Sequence, residues 1–219
     1  RDSSLLFVEN GTNVAVRYKV ELGDAEAAFK SADYVRSEMF RAHRHTANPM
    51  ETRGMVAEWH AAAGRMTVTA ATKVNFHNRR ILAPMMGLAE HDIDMIELDV
   101  GGGFGVRGEF YPEDFLIPFT ARHIGRSVKW IEDRREHMLA ANHSREIDCE
   151  LSIACRKDGT ILGMRGAIYG DMGAYVRTNG GVVPAKAAQF LHGPYRIRNL
   201  AVAVAAFMTS KTPVGTYRA

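Results

Sequence analysis

The sequence has little cysteine, with only Cys149 and Cys155 among 219 residues. Both fall in one strand-like run, where their spacing sets them roughly 20 Å apart at about 3.3 Å per residue, so no bridge closes within that strand. Disulfides therefore do not hold this chain together. Free thiols suit a reducing, cytoplasmic setting, as does the lack of a signal-peptide pattern at the start. No apolar run is long enough to span a bilayer. An excess of one charge is missing too: 28 Lys and Arg stand against 25 Asp and Glu, for a formal net charge of +3. The basic residues are scattered rather than blocked, which removes the electrostatic case for nucleic acid or a membrane surface. Nothing in the order of serines, cysteines and histidines marks a nucleophile.

What remains is ordinary globular composition, 46% hydrophobic and 24% charged, enough to bury a core. Short apolar pieces around Asn10-Gly11 read as an extended lead-in, residues 1–33, from a missing upstream domain. Within it Asp24 is placed to cap a short helix from Ala25 to Ala32. Residues 34–219 read as one domain cut short at its C-terminus, because the chain ends straight after an apolar segment. Val56 to Ala62 and Arg65 to Thr72 flank Gly64 as a hairpin. Ile81, Leu82, Met85 and Met86 follow at helical spacing, with Gly87 set to end that helix. Ile96, Leu98 and Val100 alternate with acids as a strand. Pro112 suits the first turn of a helix carrying Phe115, Leu116, Phe119 and Ile124, ended by Gly125.

Val128 to Ile131 is a short strand, and Asp133 caps a helical turn through Leu139. Two long strands then meet at Asp158-Gly159, a strong hairpin signal. A helix from Val182 to Leu191 and an apolar strand from Leu200 to Thr209 close the chain. Hairpins interleaved with single helices indicate an α+β fold with mixed and antiparallel sheets. The two halves share a rhythm of paired strands, helix and strand, which predicts two similar sub-lobes.

Gly101 to Gly108 is the stretch that calls for a ligand. Five of its eight residues are glycine, and glycine lets the main chain approach a bulky or anionic group closely. Gly103-Phe-Gly105-Val-Arg-Gly108 satisfies the dinucleotide pattern G-x-G-x-x-G, with Glu132 and Asp133 some way beyond. Glu109 to Pro112, however, push the following helix too late for its N-terminus to face a pyrophosphate, and a long hairpin follows instead of parallel β-α units. Thr212 to Arg218 is a second candidate, an arginine beside an aromatic on a Pro/Gly-rich loop suited to clamp an oxyanion. His43 and His45 have the spacing of a metal pair, but a third ligand is missing and a solvated strand is the plainer reading. His137 and His143 belong to a heavily charged stretch that reads as a solvated helix and its exit.

Several motifs occur jointly and in order: Asn48-Pro49-Met50-Glu51; Gly101 to Gly105 after an I-x-L-x-V strand; Gly125-Arg126-x-Val128-Lys129 running into Glu132-Asp133-Arg134; Asp171-Met-Gly173-Ala174-Tyr175; Gly193-Pro194-Tyr195-Arg196-Ile197; and Tyr217-Arg218. Together they resemble the large subunit of molybdenum hydroxylases, the xanthine dehydrogenase, aldehyde oxidase and carbon monoxide dehydrogenase group. The resemblance implies the first part of a molybdopterin-binding region, with cofactor contacts from Gly102, Gly103, Phe104 and Gly105 and with Tyr217 and Arg218 beside the same centre. Lys73 falls where a glutamine commonly approaches the metal. Lys186 falls where purine oxidisers carry a substrate-orienting arginine, which puts purine specificity in doubt. Ala219 falls where carbon monoxide dehydrogenases place a copper-binding cysteine, and Glu109 stands one residue from a substrate-contacting glutamate of some relatives.

The family's catalytic glutamate has no match here, so no catalytic residue and no protein ligand to metal is assigned. The implied cofactor is molybdopterin with molybdenum, including its cytosine dinucleotide form, while FAD and 2Fe-2S clusters belong on partner subunits. The implied partners are the remainder of the large subunit, iron–sulfur and flavin subunits in an oligomer, and a small-molecule substrate. The implied reaction is hydroxylation of an aldehyde or N-heteroaromatic with oxygen from water, with the chain inactive alone. The competing readings are a non-catalytic split module that binds a partner chain and, from the glycine pattern, a nicotinamide-binding domain.

Overall fold

The computed structural model describes residues 4–218. Its strands of four or more residues are β1 (Val14–Leu22), β2 (Tyr34–Ala42), β3 (Gly54–His60), β4 (Arg65–Ala70), β5 (Ile93–Glu97), β6 (Val128–Ile131), β7 (Ile147–Cys155), β8 (Ile161–Gly173) and β9 (Leu200–Met208). The α-helices are α1 (Ala25–Lys30), α2 (Asn75–Met86), α3 (Pro112–Ile124), α4 (Arg134–Ala140) and α5 (Val182–Gln189). They divide into two compact units, one of Arg1–His45 and His143–Gly215, the other of Thr46–Asn142 and Thr216–Ala219.

The first unit is a five-stranded sheet in the order β1-β9-β8-β7-β2. Only the β8/β9 pair is parallel. Leu200, Val202 and Val204 alternate inward along β9 and pack with Ile168 and with Ala188 of α5, while Tyr18 and Val20 of β1 close over them. The β7/β8 hairpin turns at Gly159, whose φ of 87° suits glycine, and the Asp158 carboxylate accepts from the Thr160 amide at 2.9 Å. Asp24 caps α1 by accepting from Ala27 N at 2.9 Å. Cys149 and Cys155 are free thiols, and burial pushes the Cys149 thiol up.

The second unit is a four-stranded sheet in the order β5-β4-β3-β6, with only β4/β5 parallel. Its core joins Met55, Ala57, Met66, Val68 and Ile93 from the sheet to Leu82, Ala83 and Met86 of α2 and Ala121 of α3. Gly87 and Gly125 end α2 and α3 in the left-handed conformation, as their positions predict. Both units contain the same run: hairpin, helix, then a strand parallel to the second arm of the hairpin, as β3-β4-α2-β5 and β7-β8-α5-β9. A parallel neighbour needs a crossover, and the single helix provides it. The α+β reading with mixed sheets and interleaved helices therefore holds.

Three local expectations change. The division at residue 33 matches no boundary in the fold, because β1 is hydrogen-bonded along its length to β9 and Ala28 and Phe29 of α1 are buried. The alternation at Ile96, Leu98 and Val100 marks the outward set: β5 ends at Glu97, Ile93 is its buried residue, and those three are exposed. On α3, Phe115 packs on the core as expected, yet Leu116, Phe119 and Ile124 are exposed and Pro118 and Ala121 are the buried positions.

Ile93→Ala removes a side chain with no exposed surface and should destabilise the protein by about 2–5 kcal/mol in urea unfolding. Leu116→Ala, at a half-exposed site, should cost less than about 1 kcal/mol. Equal losses from the two would contradict this assignment of faces.

Candidate cofactor site

The site lies wholly within the four-stranded unit. Beyond Glu97 the chain leaves the sheet, so its carbonyls lose their ladder partners and need donors from elsewhere. Arg107 supplies one of them, to Gly102 O, and ties the loop to three carbonyls of neighbouring segments. The residue is 4% exposed, and its guanidinium donates from Nε to Gly102 O at 2.7 Å, from Nη1 to Ala71 O at 2.8 Å, and from Nη2 to Glu51 O at 2.9 Å and Thr52 O at 3.1 Å. Nη2 also reaches the Glu51 carboxylate at 2.9 Å, and that carboxylate accepts from Gly101 N at 2.8 Å. Burial pulls the Arg107 pKa down while Glu51 opposes the shift.

Glycines permit this close approach. A Cβ at Gly101 would stand 2.5 Å from Glu51 Cβ. Gly105, at φ 109°, would place a Cβ 2.3 Å from Thr216 O. The loop thus closes on the tail of the chain, and Arg218 N donates to Phe104 O at 3.0 Å. The Arg218 guanidinium stands over the Phe104 ring at 5.0 Å. Phe104 and Arg218 both hold positive φ, 50° and 47°, in a region non-glycine residues enter rarely and usually at functional sites.

A cleft of about 450 Å³ opens over this loop, walled by Gly102 to Gly105, Thr72, Lys73, Glu97, Val100, Arg107, Thr216 and Arg218. Of the sequence-predicted residues, it gathers Gly102, Gly103, Phe104, Gly105, Lys73 and Arg218. Tyr217 is not among the lining residues; its side chain packs on Ala47, Val106, Tyr111 and Ala141 and anchors the tail. Lys186 does not line the cleft either. It sits on α5 in the other unit, where Nζ donates to Gln189 Oε1 at 3.1 Å and stands 5.3 Å from the Phe190 ring. Ala219 lies outside the described residues. Among the described residues, the amides of Phe104 and Gly105 have no acceptor. Two open amides on a positive-φ loop, flanked by the cations of Lys73 and Arg218, form a cradle for an anionic or oxygen-rich group.

A second set of charged groups supports the loop and was hidden in the sequence. Glu132, 1% exposed, accepts from Arg53 Nε at 3.1 Å, Nη2 at 2.5 Å and the Arg53 amide at 3.1 Å. It also pairs with His137 Nδ1 at 2.8 Å. The Arg53 guanidinium stacks on Tyr111 at 3.9 Å and reaches Glu113 at 3.2 Å. Tyr111 in turn donates its hydroxyl to Val106 O at 2.9 Å, just past the glycine loop. Arg134 fixes the 48–50 segment by reaching Asn48 Oδ1 at 2.5 Å and Met50 O at 2.8 Å. The Asn48 to Glu51 and Glu132 to Arg134 motifs, distant in sequence, are thus one assembly. His137, read from its charged neighbours as solvated, has no exposed surface, because the face of α4 that carries it turns onto Glu132. Glu109 is buried and does not line the cleft.

The glycine pattern is not a dinucleotide fingerprint in this fold. Val106–Gly108 is a 3₁₀ turn, and α3 begins only at Pro112, so no α-helix N-terminus follows the last glycine. Among the described residues, no group of three or more histidine, cysteine or acidic side chains could hold a metal, and no helix is long and apolar enough to cross a membrane.

A family model described as the molybdopterin cofactor-binding domain matches residues 7–219. The chain belongs to this family, within the large subunits of molybdenum hydroxylases. It is 37% identical over 207 residues to the 6-hydroxypseudooxynicotine dehydrogenase complex subunit gamma of Paenarthrobacter nicotinovorans, covering 94% of this chain and 26% of that protein. It is 33% identical over 213 residues to the nicotine 6-hydroxylase large subunit of the same organism, covering 96% and 26%. The crystal structure of quinoline 2-oxidoreductase from Pseudomonas putida 86 superposes with a TM-score of 0.88 at 31% identity, covering 94% of this chain and 26% of that one. The chain therefore spans about a quarter of the length of the curated relatives it matches.

Burial alone would raise the Glu132 pKa, but the hydrogen bonds from His137 and Arg53 outweigh it and hold the group at about 2, below its ordinary 4.5. A depressed carboxylate stabilises the fold above the unfolded pKa and loses that contribution as pH falls through the folded one. Urea unfolding should therefore show stability falling between pH 4.5 and about 2, with Glu132→Gln less stable at neutral pH and flatter across this window. A variant that tracks the parent at every pH would contradict the network.

Proposed function

We propose that this chain carries one wall of the molybdopterin site in a molybdenum hydroxylase that oxidises an N-heteroaromatic substrate with oxygen from water. The observation that carries the reading is the pair of open amides at Phe104 and Gly105, held at positive φ between Lys73 and Arg218. The fit is chemical. An oxygen-rich anionic group gains hydrogen bonds from fixed backbone donors and charge from two cations, and a Cβ at Gly105 would collide with Thr216 O at 2.3 Å, so glycine is what lets loop and tail meet here.

When bound, the molybdenum–pterin group supplies the two-electron redox chemistry of carbon hydroxylation. The chain's own residues bind and orient. The Phe104 and Gly105 amides hold oxygen, Lys73 and Arg218 balance negative charge, and the Phe104 ring, with Arg218 above it, limits access of water from that side. No residue of this chain serves as the base; that role falls to a part of the large subunit outside the chain, so the chain alone does not turn over substrate. Pyridine-type rings are favoured over aldehydes as substrates because nicotine and quinoline, in the names of the relatives above, both contain such a ring. The cytosine dinucleotide form of the pterin, and FAD and 2Fe-2S clusters on partner subunits, belong to the same reading.

In the full large subunit, Arg218→Ala, which removes a charge-assisted contact, and Gly105→Ala, whose Cβ clashes with Thr216 O and displaces the loop, should each lower molybdenum and pterin per protein by about tenfold. Leu116→Ala, away from the cleft, should keep both at the parent level. Full cofactor content in a folded Gly105→Ala protein would remove the glycine loop from the site.

A further inference from the structure

Beside the cleft, and sharing Thr72 and Arg107 with it as walls, lies a second cavity of about 30 Å³. Glu109 and Asn78 line it and are almost fully buried, at 2% and 1% exposure. Neither Glu109 carboxylate oxygen has a hydrogen-bond partner among the described residues, nor does Asn78 Oδ1. Asn78 Nδ2 is directed instead to Thr72 Oγ1 at 3.4 Å.

The neighbouring charges are already matched: Arg53 with Glu132 and Glu113, and Arg107 with Glu51. Glu109 is left without a partner, and a buried carboxylate without one is among the most costly arrangements a fold can hold. All three orphan atoms lining this cavity are acceptors, and no lining side chain leaves an orphan donor. A single partner shared by all three atoms therefore donates hydrogen bonds. A volume near 30 Å³ admits about one water-sized species. One carboxylate and one amide oxygen make a poor ligand set for a divalent metal, which takes six or more oxygens.

We propose that this cavity is a binding site for a single water-sized hydrogen-bond donor, water or ammonium, held between Glu109 and Asn78. The occupant joins the loop that follows the glycines to helix α2. Because Arg107 walls both spaces, it also steadies the guanidinium that shapes the cleft. The inference stands on the cavity alone and does not depend on what occupies the cleft.

The test is thermal and urea unfolding of the full chain in ammonium chloride and in tetramethylammonium chloride at equal ionic strength, the latter cation being too large to enter. If ammonium is the occupant, the midpoint temperature rises with ammonium concentration and the rise is absent in Glu109→Gln. If water is the occupant, the two salts give the same midpoint. A double-mutant cycle then shows coupling: Glu109→Gln and Asn78→Ala each lower the folding constant by about tenfold, and the double variant falls by about the same factor instead of about a hundredfold. Equal midpoints together with additive losses would overturn the site.

Discussion

A single buried guanidinium makes the glycine loop a defined surface. Where β5 ends, the chain must run from Leu98 to Gly105 without a strand beside it, and its main-chain oxygens need donors or water. Arg107, a wall of the cleft, brings donors to the loop and its neighbours, reaching Gly102, Ala71, Glu51 and Thr52 with one planar fork. A lysine could not span those directions, because an ammonium is a point donor and the guanidinium a rigid fan. With Gly102 O held in this way, the Phe104 and Gly105 amides, on residues that line the cleft, keep no acceptor among the described residues.

The rest of the unit keeps that guanidinium in place. Glu51 pairs with Arg107 and with Gly101 N, so its own segment must not drift. Arg134 holds Asn48 and Met50 on one side of Glu51, and Arg53, bound to Glu132, holds the other. Burying Arg53, Glu132 and His137 carries a desolvation penalty, which their hydrogen bonds offset; the depressed pKa of Glu132 is the electrostatic sign of that balance. Two positive-φ residues, Phe104 and Arg218, add strain of order 1–3 kcal/mol each, which the surrounding contacts must overcome. Strain kept in this way fixes the geometry before a ligand arrives.

Legibility in the sequence followed the range of the interactions. Turns and caps were readable, because Asp24, Gly87, Gly125, Asp133 and Asp158-Gly159 act on residues two to four positions away. The glycine loop was readable as a ligand surface, since few other uses fit so dense a run. Burial was not: Ile96, Leu98 and Val100 alternate as a core strand should, and only the parallel pairing of β5 with β4 shows that Ile93 is the inward residue. The Arg53–Glu132–His137 assembly was also hidden, because its members lie up to 84 positions from one another (137 minus 53) and look individually like solvated charges. Resemblance to a family marked the segments that meet at the site, and the fold supplied the reason they meet. It also separated Tyr217, which anchors the tail, from Arg218, which lines the cleft.

The central claim is that the Phe104 and Gly105 amides are donors to the molybdopterin group. The most direct measurement is a crystal structure of the complete large subunit with its cofactor bound. The account predicts both amide nitrogens within hydrogen-bond distance, about 2.7–3.2 Å, of cofactor oxygens, with Arg107 still bound to Gly102 O. A bound cofactor that leaves these two amides facing solvent, or that is held only by residues outside this chain, would contradict it.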